Sequence, residues 1–148
     1  MGNARVLVAV RDKEHVRELM KLGCQLAKGN EGEVVAVSVA EIGFGLPLDA
    51  DADVLDQPAR EALEQAAVVV QEACGTQVRV RLLRAREAGP ALVDEAVEQG
   101  ADYLVLGYHG RHGIIGELLL GSCVRYVATH APCRVILEVL PQSRPSAQ

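Results

Sequence analysis

Short apolar runs alternate along the chain with segments whose apolar residues recur every three to four positions. Residues 4–10 hold Val6, Leu7, Val8, Ala9 and Val10 in succession. A continuous run of that length predicts a strand buried on both faces. A polar turn follows, Arg11-Asp12-Lys13-Glu14. From about Lys13 to Lys28, Val16, Leu19, Met20, Gly23 and Leu26/Ala27 share one helical face, and Gly29-Asn30-Glu31-Gly32 stops the helix. Residues 34–40 are a second β-rich run. Residues 41–57 make a long connection with Gly43, Gly45, Pro47 and the aspartates Asp49, Asp51, Asp53 and Asp56. Loops of this length are commonly functional or mobile. The spacing of its carboxylates does not match a calcium loop, so a solvated acidic loop is expected. Pro58 is expected to open the next helix. The apolar face of that helix is Ala59, Leu63, Ala66, Val70 and Ala73/Cys74.

After Gly75, residues 77–84 set Val78, Val80 and Leu82 against Arg79, Arg81 and Leu83, the pattern of an edge strand with one wetter face. Gly89-Pro90 starts a short helix carrying Leu92, Val93, Ala96 and Val97, and Gly100 ends it. Asp102-Tyr103-Leu104-Val105-Leu106 predicts another buried strand. A glycine-rich stretch leads into a helix on which Leu120, Val124, Val127 and Ala128 recur. Pro132 breaks that helix, and Arg134–Leu140 is the last strand. Residues 141–148 are expected to be a disordered tail behind one domain, 1–140. Alternating strands and helices imply an α/β fold, a parallel sheet with helices on both faces. The pattern leaves the strand order open; 2-1-3-4-5 is one doubly wound solution.

Composition narrows the function. A chain of 148 residues suits one domain with one sizeable core. Its net charge of -5, with no basic run, argues against non-specific nucleic-acid binding. No apolar run approaches the roughly 20 residues that span a bilayer, so membrane insertion is not expected. Met1-Gly2-Asn3-Ala4-Arg5 runs straight into a strand without a signal peptide, and the cytoplasm is the default location. None of Cys24, Cys74, Cys123 and Cys133 forms a Cys-x-x-Cys pair. Cys24 and Cys74 fall on apolar helix faces and are expected as small buried hydrophobes. Cys123 lies at a helix start, where a thiol pKa can drop, but no base accompanies it.

The candidate chemistry lies in the glycine stretch. Glycines stand at 107, 110, 113, 116 and 121, followed by Ser122. A strand that empties into glycines and then a helix presents unpaired backbone N–H groups to an anion. No Gly-Lys-Ser/Thr follows, so the stretch is not a P-loop. The plainer role for these glycines is a tight turn and close helix packing. No Gly-x-Ser-x-Gly elbow, His-Glu-x-x-His or Ser/His/Asp set is present, and no catalytic residue is assigned.

Gly107, Gly110, Gly121 and Ser122 resemble the nucleotide-binding signature of the universal stress protein family: Gly, two residues, Gly, nine residues, Gly, Ser or Thr. Here residues 111–120 make the second spacer one residue longer. The order of elements from Val6 to Val139 is also similar. The resemblance implies a five-stranded parallel sheet of order 3-2-1-4-5, with the ligand between the first and fourth strands at Arg11–Glu14 and Gly107–Ser122. It implies an adenine nucleotide, ATP or AMP, with Mg only beside a triphosphate. It also implies a homodimer through the last strand. Val10, Arg11 and Asp12 fall at the end of the first strand, where ATP-binding members commonly have an aspartate. Arg11 in that place departs from the family's ribose and metal arrangement and offers a forked phosphate donor instead. Val39 matches the position whose backbone meets adenine. His109, Arg111, Gly113 and Cys123 complete the set around the phosphates. His109 and His112 also have a spacing a metal would accept, and exposed loop histidines are the plainer reading. Tyr108 replaces a residue that is often small. The function implied is a cytoplasmic stress-response protein that binds nucleotide and acts through partners. The alternative is a regulatory domain or accessory subunit of a membrane transporter, with weak or no nucleotide binding. An α/β enzyme such as a nucleotide hydrolase is a third class.

Overall fold

A computed structural model describes residues 4–11, 15–28, 32–49, 53–73, 78–109 and 122–140. Five strands and four helices alternate: β1 (Arg5–Ala9), α1 (Val16–Lys28), β2 (Glu33–Glu41), α2 (Asp53–Ala73), β3 (Val78–Ala85), α3 (Ala88–Gln99), β4 (Tyr103–His109), α4 (Ser122–His130) and β5 (Arg134–Leu140). All pairings are parallel, and the order is β3-β2-β1-β4-β5.

The alternation of side chains along the strands builds two apolar layers. Val6 and Val8 of β1 face one way, onto Val16 and Met20 of α1 and Ala62 and Val69 of α2. Leu7, between them, faces the other way, onto Leu92 of α3 and Val127 of α4. Gly23 lets α1 lie close: a Cβ there would come 2.5 Å from Cγ2 of Val8. The first two crossovers wind β1 to β2 to β3 over one face. The third, through α3, returns the chain across the other face to the far side of β1. The winding therefore reverses between β1 and β4, where doubly wound sheets bind their ligands.

Several elements differ from the sequence pattern. α2 begins at Asp53, not at Pro58, which lies inside the helix. The cause is Asp56. It is fully buried and ion-paired to Arg84 of β3 and Arg60, which draws the first turn onto the sheet. The Asp56 carboxylate also suits the helix dipole, and Pro58 forfeits one internal hydrogen bond. Asp56 thus leaves the solvated acidic loop. β4 runs on through Gly107, Tyr108 and His109, because β5 supplies ladder partners at Glu138, Val139 and Leu140. Val97 and Ala128, placed on apolar faces, are exposed. Cys24 is buried as expected and disulfide-bonded. Cys74, the side chains of Val70 and Ala73, and the tail 141–148 lie outside the described residues.

The amino-terminal edge of the sheet is closed by polar groups. Glu33 receives Arg5 and Arg79, each at 2.9 Å. Arg79 also reaches Gln99 at 3.2 Å, and Gln99 donates to Glu95 at 2.7 Å. Glu95 is 3% exposed and takes Arg81 at 3.0 and 3.3 Å. Burial pushes the Glu95 carboxyl up; hydrogen bonds from Arg81 and Gln99 and the charges of Arg81 and Arg79 outweigh this and hold it below its ordinary value. A depressed pKa adds stability above the unfolded value of 4.5, and that stability is lost as pH falls through the folded value. Denaturant melts from pH 7 to pH 3 should show it. Arg81→Ala should cost about 2 kcal/mol at neutral pH. Glu95→Gln should flatten the acid limb; an unchanged limb would remove Glu95 from the account.

Candidate functional site

The site begins where β1 ends. The ladder of β1 with β4 stops at Val8 and Val105. With β2 it stops at Ala9 and Val37, and one further bond runs from the Val10 N–H to the Val37 carbonyl at 2.8 Å. β2 continues to Glu41 and β4 to His109, so both neighbours run on past the end of the β1 ladder.

Strand geometry fixes what faces that end. The N–H and C=O of one strand residue point to the same neighbouring strand, and the direction alternates. Glu33 donates to Ala4 at 3.0 Å and Val37 accepts from Val10, so odd positions of β2 point toward β1. Ile42 donates to Ala85 at 2.8 Å, so even positions point toward β3. The N–H and C=O of Val39 therefore point to the β1 side, past the end of the β1 ladder. Among the described residues no backbone partner meets them. The Val39 side chain packs on the α3–α4 layer. Val10 is buried in the α1–α2 layer with its N–H already bonded, so only its carbonyl remains for a ligand.

Arg11 follows, exposed. Ser122 opens α4, also exposed, where first-turn amides have no intrahelical partner. Cys123 behind it is half-buried. Burial pushes its thiol up, the charge of Glu41 adds to the rise, and Arg11 opposes it. The thiol is thus protonated at neutral pH rather than activated by the helix. Gly107 and His109 sit on β4 beyond its last pairing with β1. Tyr108, also on β4, is half-buried and stands opposite Val139. Val10 and Arg11 thus follow β1, Val39 lies near the end of β2, Gly107 and the His109 backbone end β4, and Ser122 and Cys123 open α4, all on the carboxyl side of the sheet. Asp12, Gly110, Arg111, His112, Gly113, Gly121 and the His109 side chain lie outside the described residues.

Two neighbours carry no signal in the sequence pattern. His15 precedes α1 with φ at 61°, left-handed backbone that side chains rarely adopt. Its carbonyl accepts from Leu19 at 3.1 Å, and its Nδ1 lies 2.9 Å from Glu18 Oε2. That hydrogen bond is the main reason the Glu18 carboxyl lies below its usual range. Strained backbone of this kind concentrates at functional sites. Glu41 ends β2, and its Oε2 accepts from the Ala88 N–H at 2.9 Å, satisfying the first turn of α3. Nothing in residue type announces either role: one depends on a dihedral, the other on a contact between distant segments.

A backbone donor and acceptor side by side at Val39 suit the edge of a planar heterocycle. A cation at Arg11 and a helix amino terminus at Ser122 suit an anion. Comparison with known proteins places the chain in a family. The universal stress protein family model matches residues 2–137. A universal stress protein of Synechocystis sp. is 28% identical over 157 residues, covering 93% of this chain and 98% of that protein. The universal stress protein of Archaeoglobus fulgidus in complex with dAMP is 25% identical, with a TM-score of 0.70 over 93% of this chain and 98% of its own. A universal stress protein family protein of Arabidopsis thaliana with AMP bound has the same fold, with a TM-score of 0.61 at 16% identity, over 92% of this chain and 91% of its own. With its sheet order and nearly its whole length matched, the chain belongs to the universal stress protein family.

Proposed function

We propose that this protein binds an adenine mononucleotide across the carboxyl ends of β2, β1 and β4 and acts through partner proteins. The observation that carries this is Val39, whose N–H and C=O point past the end of the β1 ladder with no backbone partner among the described residues. The adenine edge takes that pair, and the phosphate lies at the start of α4 near Ser122 and Arg11. The dAMP complex of the Archaeoglobus fulgidus relative supports the ligand class. Arg11 stands where ATP-binding members of the family commonly place an aspartate, and this favours AMP over a metal-bound triphosphate. It also favours the second reading, a transporter-associated regulatory module with weak or no nucleotide binding. Mg is expected only with ATP. A cytoplasmic setting rests on the sequence alone; the disulfide at Cys24 argues for an oxidising one. Among the described residues no helix is long and apolar enough to cross a membrane.

Assembly belongs to the same proposal. β5 is a sheet edge, Val139 on it is 54% exposed, and Glu138 Oε2 is buried without a hydrogen-bond partner among the described residues. An apolar edge is a liability unless covered. Pairing of β5 with its copy across a two-fold axis would cover it. Light scattering should return a dimer at micromolar concentration, and Val139→Lys should shift it toward monomer; a concentration-independent monomer would count against β5 pairing.

Binding is tested by titration calorimetry with AMP, ADP and ATP. Wild type should bind AMP. Ser122→Ala should weaken it roughly tenfold, as expected for a donor to a charged acceptor. Gly110→Val combined with Ser122→Ala should abolish it. A wild type that binds none of the three leaves the transporter-module reading.

A further inference from the structure

The chain has one phenylalanine and no tryptophan. That phenylalanine stands in solvent: Phe44, on the connection leaving β2, is 84% exposed. The connection is nonetheless held firmly. Arg86, just past β3, donates from Nη1 to the carbonyls of Ile42, Gly43 and Leu46. The Leu46 N–H closes a turn on the Gly43 carbonyl at 3.0 Å. The same guanidinium lies 5.4 Å from the centroid of the Phe44 ring. One side chain therefore fixes the backbone of the loop and backs one face of the ring. The other face has no packing role in the fold.

Position decides what that face is for. The loop leaves the carboxyl end of β2 directly after Glu41, on the same edge of the sheet at which α4 starts with Ser122. It begins three residues beyond Val39, whose backbone pair points past the end of the β1 ladder. Adjacent strands are about 4.8 Å apart, so β2 stands about 10 Å from β4 across β1. A nucleotide with its phosphate at α4 and its base edge on Val39 presents the base at the carboxyl end of β2, and Phe44 follows that end by three residues. Planar bases stack on aromatic rings whatever their hydrogen-bonding edge, and a guanidinium on the opposite face of the ring preorganises it.

We propose that Phe44, backed by Arg86, is the stacking platform for the base of the bound nucleotide. This rests on the nucleotide-binding reading above and assigns the base end of that site to a loop. Phe44 contacts the base, and Arg86 is a positioning residue.

Phe44 is exposed, so its replacement should leave the fold intact, which circular dichroism checks. The probes are AMP and pyrophosphate, the second lacking a base. Phe44→Ala should weaken AMP binding about tenfold and leave pyrophosphate binding unchanged. Arg86→Gln should weaken AMP in the same direction, again without affecting pyrophosphate. Phe44→Trp installs the sole tryptophan of the chain, and its emission should be quenched by AMP but not by pyrophosphate. If wild type binds AMP and Phe44→Ala binds it equally well, or F44W emission is unmoved at saturation, the stacking role is overturned while nucleotide binding stands. The exposed ring then belongs to a protein-docking surface. If wild type binds neither AMP nor another nucleotide, both readings fall together.

Discussion

The early end of β1 is the constraint on which the site depends. The chain must leave β1 into α1 on one face, while β4 arrives beside it from the other face. β1 pairs with β4 only as far as Val8 and with β2 only as far as Ala9, yet β2 reaches Glu41 and β4 reaches His109. A parallel sheet whose middle strand is shorter than its neighbours must leave backbone groups facing the gap. Elsewhere in the sheet such groups find partners, as buried peptide groups nearly always do. Those of Val39 have no described partner because the fold ends β1 before reaching them. A ligand edge can then make the bonds that a longer β1 would have made.

The two ends of the sheet accordingly serve different purposes. At the amino-terminal edge, Arg5, Glu33, Arg79, Gln99, Glu95 and Arg81 bond to one another. Asp102 adds its carboxylate to the Arg5 N–H at 2.8 Å. That edge ties the starts of four strands to α3 and leaves little unsatisfied. At the carboxyl edge, Arg11 and Ser122 are exposed, His15 is held in a strained conformation, and Arg86 anchors an exposed loop. Rigidity at one edge lets the other keep open, preorganised groups without loss of register.

What the sequence revealed and what it hid follow from the range of the interactions involved. Val6 to Val10 reads as a buried strand because both faces are covered, and the α1 face reads correctly because each turn repeats it. The sheet order came from family likeness, since apolar pattern alone fits more than one doubly wound arrangement. The start of α2 was misplaced because the ion pair of Asp56 with Arg84 joins residues 28 apart in the chain. Local rules saw only a proline five residues after the true start. The last turn of β4 was misread because glycine looks like loop until β5 is laid beside it. Val39 gave no signal through its side chain, since the useful atoms are its backbone and their direction depends on strand parity. The left-handed backbone of His15 and the disulfide at Cys24 depend on the assembled structure in the same way.

Nitrogen-15 chemical-shift mapping with AMP locates the ligand by its effect on backbone amides. A nucleotide at the carboxyl edge gives the largest perturbations at Arg11, Val39, Glu41, Gly107, Ser122 and Cys123. It gives almost none at Arg5, Glu33, Arg79 and Gln99 on the opposite edge. Perturbations centred on that closed edge, or spread over the helices with Val39 unmoved, would contradict that placement.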